Sequence, residues 1–186
     1  MPTYPIRPVV LPHNLQGVAN GRLPQTSLAP FLTGEHSLHP FATWHGTRLV
    51  NACKAATGIQ LTYTYGGCYR TYTQQYNLFH SRYTPCSYAT YITLASGKRK
   101  YWGANPINKY WKLNAGMAMA AVPGTSNHGW GLAIDVALGE NSATCTPLTY
   151  NAINWLYINA PKYGFSWESQ SEPWHIRYVL GDVHPQ

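Results

Sequence analysis

In GLAIDVAL, residues 131–138, every second side chain is large and apolar. A period of two is that of a β-strand, so Leu132, Ile134, Val136 and Leu138 share one face, and Gly131, Ala133, Asp135 and Ala137 the other. The first is a core face. The second is a floor of small residues bearing one carboxylate, which leaves space above it. An unpaired carboxylate on a semi-buried strand is costly, so Asp135 requires a cation. His128 precedes the strand in SNHGWG, where Gly129 and Gly131 let the chain bend and bring the imidazole to the same space.

A second segment, SEPWHIRYV at 171–179, reads as the partner. Pro173 forces Glu172 into an extended conformation and makes a bend, after which Trp174 to Val179 has the pattern of a strand. If the two strands are neighbours, His175 projects toward Asp135. Two imidazoles and one carboxylate, His128, Asp135 and His175, suit a single zinc ion with its fourth position open, as in catalytic rather than structural sites. Glu172 is held clear of its neighbour by the proline and is the candidate general base. Arg70, near an expected strand-to-helix junction, is the candidate cation for a developing oxyanion. Ser126 and Gln75 are candidate substrate contacts, and Trp130 and Trp174 frame the pocket, Trp174 also as a substrate contact. His13, His36, His39, His45, His80 and His184 have no comparable company and read as ordinary core or surface histidines.

The rest of the chain narrows the possibilities. Its 186 residues, 45% hydrophobic and only 10% charged, describe a globular chain and not a disordered one or a coiled coil. No apolar run is long enough to span a membrane. Thirteen Lys and Arg against six Asp and Glu give a net charge of +7, which favours anionic surroundings. The one basic cluster, SGKRKYW at 96–102, reads as a solvated hairpin tip, and no zinc-finger, helix-turn-helix or RNP spacing is present. Cys53, Cys68, Cys86 and Cys145 include no C-x-x-C pair, which argues against a zinc ribbon; buried thiols and one or two disulfides remain equally open.

Local patterns point to an α+β fold, a small antiparallel sheet flanked by helices. Residues 1–40, rich in Pro and Gly, read as an extended arm, and 41–186 as the domain that carries the site. Trp44, Leu49, Ala52, Cys53 and Ala56 predict a helical face ending at Gly58. Ile59, Leu61, Tyr63 and Tyr65 predict a strand with one buried face, and 66–79 a glycine turn followed by a helix. Residues 80–116 read as an irregular hairpin or lid, and 147–164 as a helix.

Three motifs resemble the zinc D-Ala-D-Ala carboxypeptidases of the VanY type, in the wider group that includes lysostaphin-like peptidases and hedgehog domains. S-x-H-x-x-G-x-A-x-D is met by Ser126, His128, Gly131, Ala133 and Asp135; E-P-W-H by Glu172 to His175; and Y-R-S-Y-x-x-Q by Tyr69, Arg70, Thr71, Tyr72 and Gln75, with Thr in place of Ser. The resemblance spans 69–179. It implies a hedgehog/D-Ala-D-Ala carboxypeptidase-like fold and a zinc peptidase acting on a stem-peptide bond that involves a D-amino acid, either D-Ala-D-Ala or L-Ala-D-Glu. It also implies the roles given above: metal ligands for His128, Asp135 and His175, base for Glu172, and transition-state contact for Arg70. The expected partner is bacterial peptidoglycan, engaged by a monomer, with neither nucleic acid nor membrane. NGRLP together with PGTSNHGWGLAIDV resembles cell-wall peptidases of actinobacteria and their phages. With an N-terminus that does not read as a signal peptide, this favours a phage lysin released to the wall or carried on the virion. The rival expectations are a zinc-bearing wall-binding module without catalysis, and a basic nucleic-acid-binding protein.

Overall fold

The computed structural model describes residues 3–101 and 109–183; Trp102 of the basic cluster and His184 lie outside the described residues. In chain order the elements are β1 (Ala29–Phe31), β2 (His36–Leu38), α1 (Pro40–Thr57), β3 (Leu61–Tyr63), α2 (Tyr72–Arg82), β4 (Tyr83–Pro85), α3 (Tyr88–Thr93), β5 (Lys98–Lys100), β6 (Tyr110–Leu113), β7 (Ala133–Leu138), α4 (Tyr150–Asn159), β8 (Phe165–Trp167) and β9 (His175–Tyr178). The strands form three antiparallel sheets: β1-β2, a central β3-β7-β9-β8, and β4-β6-β5. The α+β expectation therefore holds.

The central sheet carries the core. Leu132, Ile134 and Val136 are buried as the alternation of β7 requires, and Ala133 and Ala137 are buried beneath the opposite face. Against the sheet pack α1 and α4, together with Tyr4, Leu15, Leu23, Phe31 and Leu38 from the first forty residues. That stretch is tied down by bridges from Ile6 to Trp167 and from Val10 to Leu180. A second, smaller core of Phe79, Tyr83, Tyr101, Trp111 and Ala120 lies beneath the three-stranded sheet.

Helix α1 starts at Pro40, with the His39 side chain accepting from the Phe41 N–H, and ends at Gly58 with φ of 73°. Its buried stripe is Ala42, His45, Gly46, Leu49, Val50 and Cys53, rotated from the expected face. Trp44 is 40% exposed, with Arg48 stacked over it. Gly46 explains the rotation: a Cβ there would stand 3.0 Å from Phe31 and 3.2 Å from Ile134, so the helix approaches the sheet along its smallest residue. Helix α2 begins with a complete capping box between Thr71 and Gln74, which fixes where the chain leaves the loop that bears Arg70.

Three other expectations change. Tyr65 is 85% exposed, because the chain turns after Tyr63, the Gly67 N–H closing onto the Thr64 carbonyl. The 80–116 region is a three-stranded sheet with a short helix, stabilised by stacking of Phe79 on Tyr83. Its basic residues are not a hairpin tip: Lys98, Arg99 and Lys100 form β5 and pair with β6. All four cysteines are free thiols, Cys53 and Cys68 buried. Among the described residues no helix is long and apolar enough to cross a membrane.

Candidate metal centre

Pairing of β7 with β9 sets Asp135 directly opposite His175. Direct cross-strand pairs are the closest side-chain neighbours a sheet offers, and the His175 Nδ1 atom lies 2.8 Å from Asp135 Oδ1. His128 arrives from the other direction on a 3-10 turn, Asn127–Trp130, whose cap is the Ser126 hydroxyl accepting from the His128 N–H. The turn ends at Gly131 in the left-handed region, φ 64°, where a Cβ would stand 2.7 Å from the His39 nitrogen; only glycine brings the strand in here. His128 Nε2 lies 3.3 Å from Asp135 Oδ2. One ligand atom from each of His128, Asp135 and His175 lies within 4.8 Å of the others.

The outer nitrogens of both imidazoles are already committed. His128 Nδ1 lies 2.8 Å from the Cys68 carbonyl oxygen, which can only accept, so Nδ1 carries the proton. Burial lowers the His128 pKa more than Asp135 raises it, and the ring is neutral. Its approach to Asp135 is thus not an ion pair: a bare lone pair on Nε2 faces a carboxylate oxygen. His175 Nε2 lies 3.0 Å from Glu168 Oε2, leaving Nδ1 toward Asp135. Burial would lower the His175 pKa, but Asp135 and Glu168 outweigh it and push it up to about 9. Burial likewise opposes ionisation of Asp135, yet the cationic His175 ring opposite it holds it well below the usual carboxylate range. Once His175 Nδ1 gives up its proton, three electron-pair donors converge with their outer hydrogen bonds in place, which is the chemistry of a metal-binding set with its orienting partners.

Arg70 stands beside this group. Its Nη2 lies 3.9 Å from Asp135 Oδ2 and donates to the Gly66 carbonyl at 3.1 Å, while Nη1 donates to Gln75 Oε1 at 2.8 Å. Gly67 is required for this loop to close, since a Cβ would meet the Thr64 Oγ1 atom at 2.6 Å and the Asp135 Cβ at 3.0 Å. Glu172 and Trp174 line a cavity of about 360 Å³ with the three candidate ligands, Arg70 and Ser126. The Glu172 carboxylate makes no hydrogen bond or ion pair among the described residues. Trp174 is 43% exposed and separates this cavity from a second, more apolar one.

Gln75 departs from its expected place. It is 2% exposed, does not line the cavity, and has both ends of its amide committed, Oε1 to Arg70 and Nε2 to the Ala121 carbonyl at 2.7 Å. Its amide therefore braces Arg70 and lies off the cavity wall. Ser126, 5% exposed, caps the His128 turn and lines the cavity.

Two groups at the site escaped the sequence. The Cys68 carbonyl is a backbone atom and leaves no residue signature. Glu168 was discoverable: β8 and β9 form an antiparallel ladder with Trp167 opposite Ile176, so the next residue on β8 falls opposite His175. Reading FSW as a strand paired with HIRY would have placed Glu168 there. Its hydrogen bond from His175, against the opposing effect of burial, holds its pKa at about 2, and Asn127 donates to the same oxygen.

Among curated proteins none matches the chain. Among solved structures, VanYB in complex with D-alanine-D-alanine is 21% identical, with 82% of this chain and 77% of that one covered and a TM-score of 0.52. A vancomycin-resistance D,D-pentapeptidase VanY mutant in complex with Zn(II) is 20% identical, with 97% and 87% covered and a TM-score of 0.53. The LdcB LD-carboxypeptidase is 22% identical, with 87% and 72% covered and a TM-score of 0.52. These likenesses are of fold. The family model described as VanY, D-alanyl-D-alanine carboxypeptidase, matches residues 35–181, a span that holds the His128–Asp135–His175 group, Arg70 and Glu172. The chain belongs to the VanY D-alanyl-D-alanine carboxypeptidase family.

Proposed function

We propose that this chain is a zinc-dependent peptidase that hydrolyses a stem-peptide bond involving a D-amino acid in bacterial peptidoglycan. The observation that carries the reading is the convergence of His128 Nε2, an Asp135 oxygen and His175 Nδ1, with Cys68 and Glu168 orienting the two rings. These three atoms would hold one zinc ion, which when bound supplies a Lewis acid that polarises a carbonyl and makes water acidic. The zinc-complexed VanY relative supports that choice of metal.

The chain's own residues supply the rest. Glu172, with a free carboxylate on the cavity wall, takes a proton from the attacking water and returns it to the leaving amine. Arg70, kept cationic and held by Gln75 and Gly66, faces the oxygen on which negative charge develops. Trp174 forms an apolar wall against the peptide, and Ser126 keeps His128 in register. A wall-binding module without catalysis would have no use for an unpartnered Glu172 in one cavity with Arg70. The same reading takes residues 41–186 as the catalytic unit and 1–40 as its arm. It takes the protein to work as a monomer on the wall, in the manner of a phage lysin.

Mass spectrometry of purified peptidoglycan after incubation, with and without a chelator, tests the reading and identifies the bond. New peptide termini that disappear with chelator are expected. Intact muropeptides under metal-replete conditions would rule the activity out.

A further inference from the structure

Between Glu35 and Asp135 the chain carries no acidic residue, while nine of its thirteen Lys and Arg fall there. Their densest group lies on the three-stranded sheet, on the face turned away from the cavity. Partners across an antiparallel ladder share a face, and successive residues alternate between faces. Trp111, paired with Pro85 and Arg99, belongs to the inner face with the smaller core, and Arg99 reaches the cavity from there. Their neighbours therefore face outward: Lys112 with Thr84 and Lys98 in one row, Tyr110 with Lys100 in the next. Helix α3 does not cover this face, since none of its residues is buried. Tyr88, itself 59% exposed, and Tyr91 only flank Tyr110, with ring centroids 5.2 Å and 4.9 Å away.

Lysine on an edge strand guards against edge-to-edge pairing, which accounts for Lys98 and Lys100 on β5. It does not account for Lys112, which lies on the central strand directly opposite Lys98, where like charges repel. Among the described residues no carboxylate is within ion-pair distance of any of the three. The Lys98 ammonium instead sits over the Tyr91 ring at 5.1 Å and donates to the Tyr91 carbonyl at 3.4 Å, and Lys109 sits over Tyr110 at 5.6 Å. The face is a shelf of lysines on a tyrosine bed, their Cα atoms about 5 to 7 Å apart along and across the strands.

We propose that this outer face binds a cell-wall polymer whose units are joined by phosphodiesters, so that one side of the sheet holds the protein on the wall while the cleft on the other side stays open to peptide. An ammonium is a compact point charge that suits phosphate without needing a planar partner, and a row of phosphates would relieve the Lys98–Lys112 repulsion. Lysine covers one face of Tyr91 and of Tyr110, and Tyr110 is flanked by the other two rings. That leaves little platform for stacking bases, which favours a polymer without bases over single-stranded nucleic acid. The choice of a wall polymer rests on the peptidase reading; the cationic face does not.

The test follows binding of a fluorescent poly(glycerol phosphate) chain by anisotropy across a salt series, with hydrolysis of a free stem peptide read separately. Affinity is expected to fall with salt, with a log–log slope of about −2 to −3 for three lysine contacts. Lys112→Gln and Lys100→Gln should each weaken binding by about 3- to 5-fold near physiological salt and reduce the slope by about one, with peptide hydrolysis as in the parent. Lys112→Arg should keep both affinity and slope. Because it removes a like-charge pair, Lys112→Gln should not lower Tm, which separates lost binding from lost folding. Unchanged affinity and slope in Lys112→Gln would overturn the proposal, as would tighter binding to a single-stranded oligonucleotide of equal charge or to phosphatidylglycerol vesicles. Polymer binding by a protein that cleaves no peptidoglycan would uphold the face and refute the peptidase reading.

Discussion

At the scale of single residues, two glutamates near His175 divide the work by what they touch. Glu168 is bonded to the ring and to Asn127, and Glu172 touches neither. A carboxylate that orients a ligand and one that moves protons fail differently when neutralised. Glu172→Gln is expected to lower kcat by about 100- to 10,000-fold while zinc content stays stoichiometric, since general acid–base groups contribute that much. Full activity of the variant would remove Glu172 from the mechanism. Glu168→Gln keeps an acceptor but loses the charge that polarises His175. Zinc affinity, measured by competition with a chelating dye, should weaken by about 10- to 100-fold, the usual effect of removing an orienting partner. An unchanged affinity would show that the Glu168–His175 contact does not tune the site.

Elements decide how much of this was legible in the sequence. Strand β7 was readable because its alternation is clean, and with it the pair Asp135–His175 once β9 was taken as its neighbour. His128 followed from the glycines that turn the chain. What local pattern does not carry is pairing between short segments: β8 is three residues long, too short to announce itself, and it alone places Glu168. The face of α1 was misread for a related reason, since its large residue Trp44 points outward and a glycine makes the contact. The start of α1 also hides a titrating cap. His39 Nδ1 accepts from the Phe41 N–H while Nε2 donates to Asn14 Oδ1 at 3.0 Å, an arrangement only the neutral ring allows. Burial lowers its pKa, with Asp182 opposing. The folded value is below the unfolded one near 6.5, so this contribution to stability is complete above that pH and is lost as pH falls through the folded value. His39→Asn retains an acceptor for the cap and does not titrate. Urea midpoints at pH 8 and pH 5.5 should therefore differ less for the variant than for the parent, the histidines of the metal centre being common to both. Equal differences would mean that His39 does not contribute to acid sensitivity.

For the molecule as a whole, the charged residues of the cleft and the candidate metal ligands meet in one place. The cleft balances three acids with three arginines, so the net charge of +7 is carried by the remaining surface, as suits a protein that approaches an anionic wall. The centre itself joins β7 and the turn that leads into it to β9, 40 residues further along the chain. A cation held there would be bound by the folded chain and hardly at all by the unfolded one, so its affinity would add to stability. At a free zinc concentration 100 times Kd the gain is about 2.7 kcal/mol. For a chain of this length each kcal/mol shifts Tm by about 2–4 °C, and so chelation should lower Tm by about 5–10 °C in calorimetry. His128→Gln, with one donor removed, should lose most of that shift while the fold persists, because β7 and β9 pair through backbone hydrogen bonds that the ring does not make. A chelator that left the parent's Tm unmoved would mean that these three side chains do not grip a metal together, and the zinc assignment would fall with it.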